Sequence, residues 1–279
     1  MATATAGNAA AGVVRVPGLL TTRRTDRWWV APVVQGGAFL VFSLYTTWAA
    51  FQNAHFIYES YLSPFYAPVL WASPGDVKAF EHAWFGYKPA GLPYPSILPF
   101  SPAVLILWAP LGFRLTCYYY RKFYYRAYFA SPPSCAVGTL TGASYKGEKK
   151  GLFWLMNFHR YFAYIAVVFI VLLWWDALIA LGYQGSFHLG VGNLVMLLNV
   201  VLLSAFTFGC NSLRHLVGGG SDCFSCERFG AAKHAAWKGV SFFNRNHMLW
   251  AWLSMFSVGL TDGYIRLCSM GVIRDLRFF

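Results

Sequence analysis

The sequence predicts an all-α integral membrane protein, a bundle of five transmembrane helices. The chain is 57% hydrophobic and only 11% charged, which is more apolar surface than one soluble core of this length can bury. Five stretches qualify, or nearly qualify, as spanning helices of roughly 20 apolar residues. Basic residues concentrate in alternate connections between these stretches, as they do in membrane proteins of fixed orientation.

The predicted spans cover residues 28–51, 95–115, 159–182, 189–215 and 246–268. The first, third and fourth are long apolar runs. The second contains Pro99, Pro102 and Pro110, so we expect bends in it. The fifth reaches full length only if Asp262 and Arg266, one turn apart, lie at the membrane edge or pair within the bundle.

The segments outside the spans have an expected side of the membrane. Residues 1–27 show no signal-peptide pattern and are expected to be a disordered cytoplasmic tail. The connections 116–158 and 216–245 are rich in Lys and Arg, so the positive-inside rule makes them cytoplasmic loops. The membrane domain extends over residues 28–271, and residues 272–279 form a C-terminal tail. This topology explains the net charge of +12 and requires no nucleic acid.

Residues that bind metals cluster after the fourth span. Six are candidate ligands: Cys210, His215, Cys223, Cys226, His234 and His247. Two thiolates of a Cys-x-x-Cys pair can converge on one metal ion in a tight turn, and disulfides are uncommon in a reducing cytoplasm. We therefore expect a Rieske-type [2Fe–2S] cluster, with Cys223 and Cys226 on one iron and His215 and His234 on the other. Cys210 and His247 are the substitute ligands.

Two further interpretations use the same residues. A zinc site of three cysteines and one histidine suits Cys210, His215, Cys223 and Cys226 on residue type alone. Alternatively, Cys210 and His215 are ordinary helix-end residues, and Cys223 and Cys226 are free thiols. Cys268, near the outer end of the fifth span, is expected to be a small buried residue.

Haem b is the alternative cofactor. His159, His215 and His247 fall near the cytoplasmic ends of the spans, and His55 and His188 fall near the outer ends. Two layers of histidine are typical of a bundle that holds two haems. Every one of these residues stands at or outside a helix end, however, and none lies in the middle of a run.

Three segments resemble one known family. Residues 117–126, 131–135 and 212–219, taken with the five predicted spans, are similar to the cytochrome b-like membrane anchor of actinobacterial and mycobacterial succinate dehydrogenase, respiratory complex II. The resemblance covers most of the chain from Trp28 onward. It implies an anchor that docks a flavoprotein and an iron–sulfur subunit and delivers electrons to menaquinone or another quinone. It implies no succinate site on this chain.

The family comparison also bears on individual residues. Many such anchors hold b haems by histidines within the membrane, whereas this chain has cysteines and helix-end histidines, which favours the iron–sulfur cluster. Arg214, Asp222 and Trp237 are the expected quinone contacts, because they offer polar and stacking groups near the cluster. Residues 117–129 combine Tyr and Arg, as docking interfaces do.

Proteins of other classes remain as alternatives. A small membrane transporter would use Asp176, Asp262 and Arg266 to line a polar path, and a zinc-binding assembly protein would use the cysteines. The sequence shows no Gly-rich phosphate loop, zinc-protease pair or serine triad.

Overall fold

The computed structural model describes residues 18–139, 151–183 and 185–278. Residues 1–17 of the expected tail and residues 140–150 of the expected 116–158 loop lie outside the described residues. The described chain is mostly helical. It divides into two compact units, one of Met1–Phe39 and Tyr118–Lys146 and one of Leu40–Cys117 and Gly147–Phe279.

The elements follow one another in chain order. The helices are α1 (Val30–Gln52), α2 (Val77–His82), α3 (Pro102–Ile106), α4 (Trp108–Thr116), α5 (Tyr118–Ala127), α6 (His159–Ile179), α7 (Val191–Phe208), α8 (Asn211–Gly218), α9 (Gly230–Arg245) and α10 (His247–Ser269). Two antiparallel hairpins pair β1 (Ile57–Tyr58) with β2 (Tyr61–Leu62) and β3 (Gly182–Tyr183) with β4 (Ser186–Phe187). Short 3₁₀ helices cover Gly151–Phe158 and Phe224–Cys226.

The first unit joins the beginning of α1 to α5. The ring of Phe39 packs against Phe123 with their centroids 5.4 Å apart. Outside the helices, the Leu20 N–H donates to the Gly138 carbonyl at 3.1 Å, and the Gly138 N–H donates to the Thr21 carbonyl at 2.8 Å. These backbone bonds make the chain from residue 18 onward part of a folded unit, although the sequence assigned residues 1–27 to a disordered tail.

The second unit is built around α4, α6, α7 and α10, which pack against one another. Buried residues of α10 recur every three or four positions, as at Ala251, Met255 and Val258, which is the stripe of a helix with one packed face. The outward faces carry large apolar side chains; Leu260 is 71% exposed and Leu198 is 58% exposed. Such surfaces suit lipid rather than water.

Three helical stretches are long and apolar enough to cross a membrane: Val30–Gln52, Trp154–Ile179 and Val191–Phe208. They correspond to the first, third and fourth predicted spans, although the fourth ends at Phe208 rather than at residue 215. The second predicted span is a broken helix. α3 begins at Pro102, where a missing N–H costs nothing, and Leu107 separates α3 from α4. The fifth, α10, is 23 residues long.

Asp262 and Arg266 of α10 form a buried ion pair. The Arg266 Nε donates to the Asp262 Oδ2 at 2.6 Å, and the Tyr45 hydroxyl donates to the same oxygen at 2.6 Å. The Ser63 hydroxyl donates to the other carboxylate oxygen, and the Arg266 Nη2 donates to the Ala49 carbonyl at 3.0 Å. The two residues therefore pair within the bundle, one of the two arrangements that the sequence allowed, and they tie α1 and the β1–β2 hairpin region to α10.

The connection after α1 is itself folded. Phe56 and Tyr66 stack with their ring centroids 4.0 Å apart, and the Tyr66 hydroxyl donates to the Ala49 carbonyl at 2.8 Å. The Ser101 hydroxyl donates to the Ala50 carbonyl at 2.5 Å. Residues 53–101 thus form a cap fixed to the end of α1.

Candidate metal centre

Four helix ends of the second unit meet at one place, which we name the inner end. Cys117 follows the last residue of α4, and His159 is the first residue of α6. Cys210 follows α7 and caps the N-terminus of α8, and His247 is the first residue of α10. We name Cys117, His159, Cys210 and His247 the Cys2His2 site.

The four side chains approach one another in two cysteine–histidine pairs. The His159 Nε2 lies 3.1 Å from the Cys210 Sγ, and the His247 Nε2 lies 3.4 Å from the Cys117 Sγ. Both cysteines are buried, with 2% and 1% of Cys117 and Cys210 exposed. The sulfur and nitrogen atoms that bind metals therefore point at one another inside the protein.

Two phenylalanine rings join the pairs. Phe113 stacks on His159, and Phe206 stacks on His247, each with ring centroids 5.0 Å apart. Phe113 and Phe206 meet edge to face at 5.4 Å, and the Arg114 guanidinium lies over the Phe206 ring at 4.8 Å. The aromatic rings pack against both imidazole planes, which stay partly exposed.

The hydrogen bonds of Thr116 favour one tautomer of His159. The Thr116 hydroxyl donates to the Gly112 carbonyl at 2.7 Å and lies 2.9 Å from the His159 Nδ1. With the hydroxyl proton on the Gly112 carbonyl, the Thr116 oxygen is free to accept from His159 in the tautomer that carries its proton on Nδ1. The Nε2 is then unprotonated and directs its lone pair toward Cys210. Metal-binding histidines are oriented by outer hydrogen bonds of this kind.

The residue types of the site can be compared with those of known metal centres. Two thiols and two imidazoles are the ligand set of a Rieske-type [2Fe–2S] centre, and the buried Nδ1 of His247 has no hydrogen-bond partner among the described residues. No group of three or more Cys, His, Asp or Glu in the described parts of the chain could hold a metal ion. The cluster expected from the sequence therefore has no direct support among the described residues, and the two close contacts each join one cysteine to one histidine.

The Cys-x-x-Cys pair, expected to bind iron, is bonded to itself. Cys223 and Cys226 form a disulfide, and the turn that carries them rests on α9. There the His234 ring stacks between Phe224 and Trp237, at centroid distances of 5.1 and 6.0 Å. Thiols joined in a disulfide offer no thiolate to a metal, so the geometry does not favour the ligand set centred on this turn.

The other predicted residues are divided between the two places. Cys210 and His247 lie in the Cys2His2 site, whereas the His215 Nδ1 lies 3.5 Å from the Arg160 Nη2 at the surface. Arg214 and Trp237, expected to contact quinone, lie together with the guanidinium 4.8 Å from the indole ring. The third expected quinone contact, Asp222, is exposed.

Cys117 and His159 were not among the predicted ligands, although the sequence contains a signal for them. Cys117 ends the second span and His159 begins the third, and Cys210 and His247 stand in the same relation to the fourth and fifth spans. A cysteine and then a histidine thus flank each of the two long basic connections. The prediction instead followed the many cysteines and histidines close to residue 223.

The outer histidines are engaged separately. The His188 Nε2 lies 3.2 Å from the Tyr61 hydroxyl and 3.8 Å from an Asp275 oxygen, whereas the His55 Nδ1 lies 3.5 Å from the Ser269 hydroxyl. The two imidazoles have different partners, and the inner pair faces cysteines. This arrangement gives the haem alternative no support.

Comparison with known proteins yields two matches. The family model of actinobacterial succinate dehydrogenase subunit SdhC matches residues 30–271. A solved structure titled as the Mycobacterium smegmatis Sdh1 complex in the apo form is similar with a TM-score of 0.82 and 38% sequence identity, and the alignment covers 95% of this chain and 96% of that chain. No curated protein matches this chain.

Proposed function

This chain belongs to the family of actinobacterial succinate dehydrogenase subunit SdhC, and we propose that it anchors the soluble subunits and passes their electrons to a quinone through a Rieske-type [2Fe–2S] cluster. The family resemblance predicted from the sequence is confirmed, and the chain is a subunit of a succinate dehydrogenase complex. The observation that carries the proposed cofactor is the approach of the buried Cys117 and Cys210 to the partly buried His247 and His159.

The proposed topology has five crossings. To the three apolar helices it adds α10, whose two charges neutralise each other inside the bundle, and the broken pair α3 and α4. Helix ends buried in protein tolerate such a break. The inner end, with the Cys2His2 site, faces the cytoplasm, because the basic connections lie on that side.

The Cys2His2 site would hold the cluster. Cys117 and Cys210 would bind one iron, and His159 and His247 the other; a cluster of this kind carries one electron at a raised potential. The chain's own contribution is to position the ligands. Thr116 orients His159, while Phe113 and Phe206 pack against the imidazoles.

Cysteine variants test this assignment. Cys117→Ser and Cys210→Ser should abolish succinate:quinone reductase activity in the purified complex, while dye-linked succinate oxidation by the soluble subunits persists. Cys268→Ser is the matched control, because Cys268 is also a buried free thiol in this unit but lies at the opposite end of α10. Full quinone reduction by both Cys117→Ser and Cys210→Ser would refute the assignment. A Cys226→Ser variant that loses quinone reductase activity, beside a Cys210→Ser variant that keeps it, would also refute it.

The Thr116 hydroxyl offers a finer test. Thr116→Val removes the acceptor for the His159 Nδ1–H but keeps the shape of the side chain, so iron should be lost to a chelator on the order of 10–100 times more readily. Thr116→Ser keeps the hydroxyl and should behave as the native protein. Equal iron retention by the valine and serine variants would show that this hydrogen bond does not support the cluster.

The quinone is proposed to bind beside α8 and α9. Arg214 and Trp237 form a stacked cation–aromatic pair, and the exposed Asp222 lies in the connection between these helices. The Arg214 Nε also donates to the Ser241 hydroxyl at 3.0 Å, which fixes the guanidinium. Arg214→Gln should impair quinone reduction with little effect on dye-linked succinate oxidation, and equal loss of both activities would indicate a structural role instead.

The soluble subunits are proposed to dock on α5. Its buried face contains Tyr120, Phe123 and Tyr124, while Tyr118 is 70% exposed and Lys122 is exposed. Aromatic and basic groups on one face suit a protein interface. Charge reversal at Lys122 together with Arg121 and Arg126 should release the soluble subunits and leave this chain in the membrane; retention of the full complex would assign the face to lipid headgroups.

A further inference from the structure

A small cavity lies in the second unit between α6, α7, α10 and the β1–β2 hairpin region. Its volume is about 10 Å³, close to the least that can hold one water molecule. Its polar lining comes from Asp176, Asn199 and Thr261, and the remaining lining is apolar, including Leu173 and Met196. A water there would find polar partners on three helices.

Asp176 differs from the other acidic residue in these helices. Both oxygens of Asp262 accept hydrogen bonds, and Arg266 neutralises its charge. The buried Oδ2 of Asp176 has no hydrogen-bond partner among the described residues. An intramembrane carboxyl group without a partner is costly to retain as an anion and commonly marks a proton relay. Asp176 lies one turn before α6 ends at Ile179, at the end of the helix opposite His159.

A line of hydroxyl groups runs along α10 from this cavity. Thr261, Ser257 and Ser254 are spaced by four and three residues, so they share one helical face. The Ser257 hydroxyl donates to the Asn199 Oδ1 at 2.9 Å; Ser254 and Thr261 are 0% and 1% exposed. The Thr261 and Ser254 hydroxyls donate to the Ser257 and Ala251 carbonyls at 2.8 and 3.3 Å, so passing a proton along the line requires each hydroxyl to rotate from its carbonyl to the next group.

The same line reaches the inner end. The Arg114 Nη2 donates to the Ser254 hydroxyl at 3.0 Å, and the Arg114 guanidinium lies on the Phe206 ring that stacks on His247. Polar groups therefore extend from the Asp176 cavity to Arg114, which lies beside the aromatic rings of the Cys2His2 site.

We propose that Asp176 and the water of its cavity form a proton-transfer site that supplies protons to quinone reduction from the outer side of the membrane. Asp176 receives a proton from outer water and releases it to the cavity water, and the hydroxyls of Thr261, Ser257 and Ser254 carry it inward; only O–H bonds form and break. The quinone gains two electrons, supplied by succinate oxidation, and two protons, supplied by this route. The inference rests on the proposed function, which provides the consumer of the protons.

The test uses the whole complex reconstituted in vesicles. Asp176→Asn keeps the size of the side chain but cannot release a proton, so succinate:quinone turnover should fall at least tenfold and proton uptake from the outer side should stop. Dye-linked succinate oxidation and the spin resonance signal of the cluster should be unchanged. Asp176→Glu should restore much of the rate, and Glu81→Gln, an exposed carboxylate in α2, should have no effect.

An infrared measurement gives a second readout. The difference spectrum between the oxidised and reduced complex should contain a carboxylic acid band that shifts in deuterium oxide and disappears in Asp176→Asn. In the contrary case, the Asp176→Asn variant keeps normal turnover, proton uptake from the outer side, the native infrared spectrum and the cluster signal. That result would overturn this inference and leave the proposed function standing. Absence of the cluster signal from the native complex would instead contradict the proposed function.

If Asp176→Asn fails to assemble, Ser257→Ala decides the question. This substitution interrupts the line one step inward, and the serine side chain is small enough for alanine to replace it with little change in packing. The inference requires slower quinone reduction with an unchanged cluster signal. An unchanged turnover rate in Ser257→Ala would overturn the route.

Discussion

The ion pair between Asp262 and Arg266 should be the most destabilising site at which to remove a single charge. The two side chains are 0% and 3% exposed. Arg266→Met keeps a long side chain but leaves the buried carboxylate with only the hydroxyls of Tyr45 and Ser63, and it removes the donor to the Ala49 carbonyl. Breaking a buried pair by removing one partner costs about 3–5 kcal/mol. For a chain of this size the expected fall in Tm is on the order of 10 °C.

The pair also makes a prediction for the double variant. Replacing both members with apolar residues, as in Asp262→Leu with Arg266→Met, removes the unpaired charge and should restore most of the lost stability. Thermal unfolding of the detergent-solubilised complex, followed by tryptophan fluorescence, measures each Tm. Asp26→Asn, which breaks the exposed Arg24–Asp26 pair, is the control and should leave Tm unchanged. An Arg266→Met variant as stable as the native protein, or a double variant as unstable as the single one, would refute this reasoning.

Two further predictions concern packing and the disulfide. Gly112→Ala would bring a methyl group to 2.7 Å from the Phe162 Cδ1. Overpacking between α4 and α6 should then lower the free energy of unfolding by about 1–3 kcal/mol. Gly37→Ala is the control and should leave thermal stability unchanged, because its added Cβ has nothing within 4 Å. Iodoacetamide should label Cys223 and Cys226 only after treatment with a dithiol, and mass spectrometry showing both residues labelled without reduction would contradict the disulfide.

Hydropathy predicted the long helices because each needs only a run of apolar residues to be recognised. The first, third and fourth spans coincide with α1, α6 and α7. The second did not appear as one helix, since Pro102 starts a new helix and Leu107 interrupts it, although the prolines did predict bends. The length of the fifth predicted span depended on whether Asp262 and Arg266 pair within the bundle, and only the structure shows that they do.

The folded cap over residues 53–101 could not be predicted from periodicity. Its helix and strands are short, and its core depends on contacts such as the stack of Phe56 on Tyr66. Hydrogen bonds from Tyr66 and Ser101 to the last carbonyls of α1 fix it in place. These contacts join residues at irregular spacings in the sequence, so no hydrophobic periodicity predicts them.

The Cys2His2 site shows how the density of cysteine and histidine in one short segment can mislead a prediction from sequence. The Cys-x-x-Cys turn placed many ligands within one short window, whereas the contacts of the Cys2His2 site join residues 51 and 130 positions apart. Cys210 and His247, named as substitute ligands, are two of the four residues that meet there. The partners Cys117 and His159 became apparent only when the helix ends were brought together.

The most direct test of the account is pulsed electron spin resonance on the reduced complex, comparing normal with ¹⁵N-histidine-labelled protein. A cluster held by two imidazoles has a raised potential, so it should be reduced under milder conditions than an iron–sulfur cluster held by cysteines alone. Its signal should show couplings to two histidine nitrogens that change with the label and disappear in the His159→Ala and His247→Ala variants. A complex whose iron–sulfur signals show no histidine nitrogen coupling, or keep it in both variants, would contradict the assignment of the Cys2His2 site.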